Sequence, residues 1–383
     1  MIKHLVRKFE DILDKRLQEK PRHIQVVMGP RQVGKTSGAV HLLESKYKKQ
    51  DWVYLTCEEG LHGSEWLLQQ VQKAQQANKK IIVFDEIQKI NQWSEFVKLA
   101  WDQQKRQKNL MHWILLGSSS LKLSQGLSDS LSGRFEIIQV SHWDFTESKK
   151  MSSLNLNDYL HWGGYPGAYA FRNDPKRMRQ YLMDSIFETV VSQDILRFAT
   201  VKKPALFRQV FMLASHFPAQ EVSYNKLLGQ LQDAGNVDQI KHYLDLFSQA
   251  FLIRLVFKYS KAHASKTSSP KLLPSAPVFT ALFLNRELTQ EELGRVFEAS
   301  VGNRLCENFS VVYFWREGVN EVDYVIETTK GLIGIEVKSK RRKTAGLSAF
   351  RKKFLKSRCC IIDFENYIEF EKNPEEFIEK YSI

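Results

Sequence analysis

Cysteine is scarce. Cys57, Cys306, Cys359 and Cys360 are the only four in 383 residues. None forms a CxxC pair and none precedes a His at a ligand interval. That spacing argues against a structural zinc module and a disulfide scaffold, and it fits a reducing compartment. No run approaches 18 consecutive apolar residues, so no transmembrane helix is expected. Residues 1–8 turn charged at once and lack the apolar core of a secretory signal, so the reading is a cytoplasmic protein with no membrane partner. Internal repeats and long low-complexity tracts are also missing. Acidic residues are in deficit: 43 Asp and Glu stand against 56 Lys and Arg, a net charge of +13. An excess of that size points to a polyanion, nucleic acid foremost.

The chain does have core-forming residues: 43% are hydrophobic and 12% aromatic, which excludes wholesale disorder. Its length predicts two or three domains. Apolar runs at 23–28, 52–55, 81–84, 112–116 and 135–140 read as strands, and amphipathic stretches at 35–45, 64–78 and 92–107 read as helices between them. Nearly continuous apolar strands alternating with helices predict an α/β fold with a buried parallel sheet over 1–145. Residues 146–257 read as mostly helical. Residues 258–275, rich in Lys, Ser, Ala and Pro, read as a linker. A second α/β domain is expected over 276–383, with a helix, strands at 311–315, 321–327 and 331–338, and a last strand at 359–363.

Gly29, Pro30, Arg31, Gln32, Val33, Gly34, Lys35 and Thr36 fit GxxxxGK[ST] between an expected strand and an expected helix. The glycines let backbone N–H groups turn in around a phosphate. Lys35 reaches the β/γ oxygens, and the Thr36 hydroxyl ligates Mg²⁺. The pattern predicts ATP and Mg²⁺ as cofactors. In Ile81-Ile82-Val83-Phe84-Asp85-Glu86, four apolar residues carry Asp85 to the carboxyl edge of a buried strand, where it can hold Mg²⁺ through water. Glu86 is then suited to orient or deprotonate an attacking water. Gly117-Ser118-Ser119-Ser120 ends the next strand with hydroxyls that can touch a γ-phosphate.

These segments resemble, in order and spacing, the prokaryotic AAA+ ATPases that carry a C-terminal domain of unknown function. The resemblance rests on GPRQVGKT, IIVFDEIQ, LLGSSS, LSGRFEIIQV, YLHWGGYPGAY, EVDYVI and IEVKS, and it spans essentially the whole chain. It implies that Arg134 acts in trans as an arginine finger, that Ser118 is the sensor residue, and that the active site is completed in a homo-oligomeric ring, expected to be a hexamer. It also implies that the turn at 161–167 is a packing feature without chemistry.

Residues 205–257 resemble a winged helix-turn-helix. Their second helix, 237–248, carries Asp238, Lys241 and Asp245 and so lacks the basic face of a recognition helix. In the C-terminal region, Asp323, Glu336 and Lys338 with the helix residue Glu298 resemble the PD-(D/E)xK pattern of restriction-endonuclease-like folds. There Glu298, Asp323 and Glu336 would hold a metal and Lys338 would position water. Residues 338–358 contain ten Lys or Arg and no Asp or Glu. Lys340, Arg341, Arg342, Lys343, Arg351, Lys352 and Lys353 are therefore expected to contact a DNA backbone, reading structure rather than sequence. The combined expectation is a ring-forming AAA+ ATPase that translocates on or remodels DNA. An ATP-dependent nuclease, a nucleotide-gated signalling or defence switch and a protein remodeller stand as alternatives.

Overall fold

The computed structural model describes residues 5–57, 63–117, 127, 130–196, 199, 201–231, 235–260, 269–284, 286–338 and 345–383. The chain divides into two compact units, 1–142 with 184–199 and 143–183 with 200–383.

The first unit is built on strands β1 (Ile24–Met28), β2 (Trp52–Thr56), β3 (Ile81–Asp85), β4 (His112–Gly117) and β5 (Phe135–Gln139), in the order β2-β3-β4-β1-β5. All four neighbouring pairs are parallel. Strands β1 and β3 are buried at every position, whereas β2 and β5, at the two edges, are only partly covered. That is why the central runs carry no alternation of polar and apolar residues. Helices α1 (Lys8–Gln18), α2 (Lys35–Lys46), α3 (Ser64–Gln76) and α4 (Trp93–Arg106) belong to the same unit. Gly38 lets α1 lie close on α2, since a Cβ there would come within 2.4 Å of the Phe9 ring. Residues 184–199 join this unit from far along the chain, with Val190–Ile195 wound as a π-helix.

The second unit contains α5 (Phe145–Ser152), α6 (Leu156–Trp162), α7 (Pro175–Tyr181), α8 (Pro204–Ser215), α9 (Tyr224–Leu228), α10 (Val237–Gln249), α11 (Val278–Leu282), α12 (Gln290–Asn308), α13 (Ala345–Lys353), α14 (Tyr367–Lys372) and α15 (Pro374–Tyr381). Its sheet has seven strands: β6 (Gln220–Glu221), β7 (Ile253–Lys258), β8 (Lys271–Pro274), β9 (Val312–Glu317), β10 (Asn320–Thr328), β11 (Gly331–Lys338) and β12 (Arg358–Asp363). Their order is β12-β11-β10-β9-β7-β8-β6. Strands β9, β10 and β11 form an antiparallel meander, and β12 runs parallel to β11.

Two boundaries differ from the sequence reading. Within the expected linker 258–275, residues 261–268 lie outside the described residues, while Lys258 closes β7 and Lys271–Pro274 is a fully buried strand paired antiparallel to β6 and β7. Its Lys- and Pro-flanked composition resembles a loop, but pairing on both sides satisfies its backbone and buries Leu272 and Leu273. The expected separate domains 146–257 and 276–383 share this one sheet, since β7 pairs with β9 at Phe257–Tyr313 and Lys258–Phe314. The glycine-rich turn does behave as packing. A Cβ on Gly163 would strike the Tyr159 ring at 2.2 Å, and Gly164 takes φ +113° while accepting a hydrogen bond from Trp143 N–H.

Candidate nucleotide site and a buried carboxylate–lysine cluster

The loop between β1 and α2 turns sharply at Gly34, which has φ +91° and caps the helix. Gly29 touches the end of the neighbouring segment, where a Cβ would lie 2.1 Å from the Val140 carbonyl oxygen. A side chain has no room at Gly29, and at Gly34 the positive φ would strain it. The loop is braced from below by Arg7, itself buried, whose Nη1 donates to the Val33 carbonyl at 2.9 Å. Lys35 is buried, and its Nζ donates to the carbonyls of Gly29 (2.9 Å) and Pro30 (2.5 Å). Burial lowers its pKa to about 8 against the pull of Glu86, Asp85 and Asp194, with Arg31 adding to the fall.

Asp85 ends β3 and gathers three donors. Thr36 Oγ1 donates to Oδ2 at 2.8 Å, Tyr54 Oη donates to the same oxygen at 2.5 Å, and Glu86 N–H donates to Oδ1 at 2.9 Å. Burial, then Asp85 itself, pushes the Tyr54 phenol up to about 12. An alcohol and a carboxylate brought together at the head of α2 are the hard oxygen donors that Mg²⁺ takes, so Thr36 and Asp85 fit that ion. Glu86 sits at φ +55°, a conformation that costs a non-glycine residue about 1–3 kcal/mol and is concentrated at functional sites. Gln88 Nε2 donates to its Oε2 at 2.8 Å.

Arg31 turns away from its loop. Its Nε and Nη2 donate to Asp194 Oδ2 and Oδ1, each at 2.6 Å. Gln32 Nε2 donates to the Ser185 carbonyl at 2.9 Å. Arg134 precedes β5, and its Nε and Nη2 reach the two Asp102 oxygens on α4 at 2.8 and 2.9 Å. Ser118 lies outside the described residues. Tyr54, Arg7 and Asp194 were not among the sequence candidates. Tyr54 alone had a local signal, a phenol near the carboxyl end of a strand. Asp194 had none, since 109 residues separate it from Asp85.

In this structure the C-terminal carboxylates gather around a lysine. Among the described residues, no group of three His, Cys, Asp or Glu is arranged to hold a metal ion. Instead Lys271, fully buried on β8, meets Glu298 Oε1 at 2.8 Å, Glu321 Oε1 at 3.2 Å and Asp323 Oδ1 at 4.0 Å. Its ammonium balances the charge that a divalent cation would balance at Glu298 and Asp323. Asp323 Oδ2 is taken by the Val337 N–H at 2.7 Å, and Glu336 is paired with Lys338. The residue that decides this chemistry stands in the stretch read as a linker.

The basic stretch is also partly neutralised in space. Lys338 pairs with Glu336, Lys353 with Glu317 at 2.7 Å and Arg358 with Glu379 at 3.3 Å. Arg351 and Lys352 are exposed on α13. Lys340, Arg341, Arg342 and Lys343 lie outside the described residues.

A parallel sheet with a phosphate loop after its first strand and an acidic pair at the end of β3, with β4 inserted between the two, defines a P-loop ATPase domain. Residues 21–149 match the family model of the AAA domain, so this domain is of the AAA type. Residues 153–275 match one domain of unknown function (DUF8612), and residues 293–374 match another (DUF4143). An uncharacterized protein of Methanocaldococcus jannaschii is 25% identical over 80% of this chain and 72% of its own length. An uncharacterized protein of Haemophilus influenzae is 23% identical over 82% of each chain. The Walker-type ATPase of Pyrococcus abyssi shares the fold, with a TM-score of 0.52 at 15% identity over 72% of this chain and 94% of that one. No helix among the described residues is long and apolar enough to cross a membrane.

The Lys271 cluster predicts a specific dependence on pH. Burial and the neighbouring Asp323 carboxylate push Glu298 up to about 8, above its ordinary 4.5. A carboxyl group raised on folding stabilises the folded form below its unfolded pKa, and that stabilisation is lost as pH rises through the folded value. The Tm of the second unit should therefore fall between about pH 5 and pH 8 in calorimetry, and Glu298→Gln should flatten the fall. Lys271→Met should destabilise the unit by about 3–5 kcal/mol at neutral pH, and by less at about pH 5, where the carboxyls can protonate.

Proposed function

We propose that this chain is a Mg²⁺-dependent ATPase that works in a homo-oligomeric ring and acts on DNA through backbone contacts. The observation that carries the ATPase reading is the convergence of Thr36, Tyr54 and the Glu86 amide on Asp85, beside Lys35. In this reading Thr36 and Asp85 hold the cation, which neutralises phosphate charge when bound. Lys35 faces the β- and γ-oxygens, and the start of α2 aims its N–H groups at them. Glu86, aimed by its left-handed backbone and by Gln88, accepts the proton of the attacking water. Arg134, whose guanidinium is paired with Asp102 in this structure, serves a neighbour's γ-phosphate.

The net charge of +13 supports DNA as the partner. The order α8-β6-α9-α10-β7-β8, with β6, β8 and β7 antiparallel, supports a winged-helix reading of the middle region. However, α10 carries an internal Lys241–Asp238 pair, so the phosphate contacts are assigned to 338–358 rather than to a recognition helix. The order α12-β9-β10-β11-α13-β12 supports a nuclease-like fold for the C-terminal region. Lys271 among its carboxylates favours a module that binds without cutting.

Turnover tests the first part. Lys35→Ala should lose ATP binding. Glu86→Gln should retain ATP while hydrolysis falls by about 10²–10⁴-fold, because the amide keeps the shape but accepts no proton. Wild-type turnover by Glu86→Gln would remove Glu86 from the mechanism.

The ring has its own signature. Arg134→Ala and Glu86→Gln, each inactive alone, should recover partial activity when mixed, because some interfaces then pair an intact Arg134 with an intact Glu86. No recovery at any ratio, with mixed rings shown to form, would rule out a shared site.

DNA binding should weaken steeply with salt. Changing Arg341, Arg342 and Lys343 to Ala should lower affinity for all sequences alike and flatten the log–log salt slope by up to about one unit per lost phosphate contact. An unchanged affinity and slope would make this segment a solvated face.

A further inference from the structure

The charges around the phosphate loop do not favour an incoming anion. Lys35 feels Glu86, Arg31, Asp85 and Asp194, so two cations face three carboxylates within one site. Asp194 is almost wholly buried, at 4% exposure. Both of its oxygens are occupied by the Arg31 fork at 2.6 Å, the bidentate geometry in which a guanidinium binds carboxylate or phosphate alike. A nucleoside triphosphate brings several negative charges to a place where a desolvated carboxylate already holds the loop's arginine. The two anions compete for one guanidinium.

We propose that Asp194 is an internal mimic of the phosphate group, displaced from Arg31 when ATP binds, so that residues 184–199 report the occupancy of the site. The proposal rests on the ATPase reading and adds to it a residue and a route. With nucleotide bound, Arg31 leaves Asp194 for the phosphate oxygens. The Gln32–Ser185 contact, which also ties loop to segment, loosens with it. Segment 184–199 is suited to such a change because Val190–Ile195 is π-helical, a winding found mostly as short bulges and often at functional sites. Both its ends continue directly into residues of the second unit, 143–183 and 200–383, so a change in the segment is carried there by the chain itself. ATP would bind more weakly than an uncommitted loop allows, and the difference would be available for conformational change.

Two measurements test this. The first is binding of ATPγS and ADP, each with Mg²⁺, to the wild type and to Asp194→Asn, which keeps the shape and removes the charge. The expected result is that Asp194→Asn binds ATPγS about tenfold more tightly, equivalent to about 1.4 kcal/mol, with a smaller gain for ADP. A residue that merely supported the loop would weaken binding when changed, so unchanged or weaker binding of ATPγS overturns the proposal. The second measurement is amide hydrogen exchange of the wild-type chain, which needs no variant. Exchange over 184–196 should rise on adding Mg²⁺–ATPγS, while α2 becomes protected. A segment whose exchange is unchanged or slowed, with α2 protected, overturns the switch alone. A wild type that binds neither nucleotide overturns the ATPase reading and the switch together.

Discussion

Asp85 is the point where the ATPase domain is tied together. One of its oxygens accepts from Thr36 at the head of α2 and from Tyr54 on β2, and the other accepts from the Glu86 amide. These groups come from three stretches of chain, and they meet only because the sheet is parallel and its strand ends are aligned. Asp85 sits in register with Thr56 on one side and Leu116 on the other. A slip of one residue in β3 would turn Asp85 to the opposite face and bury a carboxylate without donors. The apolar run before it therefore holds both the core and the site in place.

The same economy of charge recurs in each unit. Asp194 beside Arg31, and Lys271 beside Glu298, Glu321 and Asp323, are buried ions that burial would make unfavourable alone. In both cases the balancing partner arrives from a distant stretch of chain. At the phosphate loop the pairing leaves a cation that an anionic ligand can compete for. On β8 the pairing closes off a set of carboxylates that otherwise resembles a metal site.

The basic surplus is less concentrated in space than along the chain. Lys353 and Arg358 each meet a carboxylate from another element and Lys338 meets Glu336 on its own strand, so part of the run that looked uninterrupted is paired in space. The remaining described candidates, Arg351 and Lys352, lie exposed on one short helix. A linear count of charge therefore overstates the field this stretch presents.

Much of the ATPase domain was legible without coordinates, because its signals are local. Hydrophobic runs marked β1 to β5, the glycine spacing marked the phosphate loop, and the apolar approach to Asp85-Glu86 placed the acidic pair at a strand end. The meander β9–β11 and the strand β12 were equally visible, since alternation and a four-residue turn are properties of neighbouring residues. Tertiary structure decided the rest. It made a buried strand of a segment whose composition resembles a linker, because pairing on two sides can satisfy backbone that sequence leaves unassigned. It joined the middle and C-terminal regions through β7 and β9. It brought Asp194 to Arg31 and Lys271 to Glu298, contacts set by desolvation and charge balance between residues 163 and 27 positions apart. Sequence by itself determined what the phosphate loop is. Only the folded chain decided which charges stand against it, because a buried ion's partner is chosen by proximity in space and leaves no periodic trace.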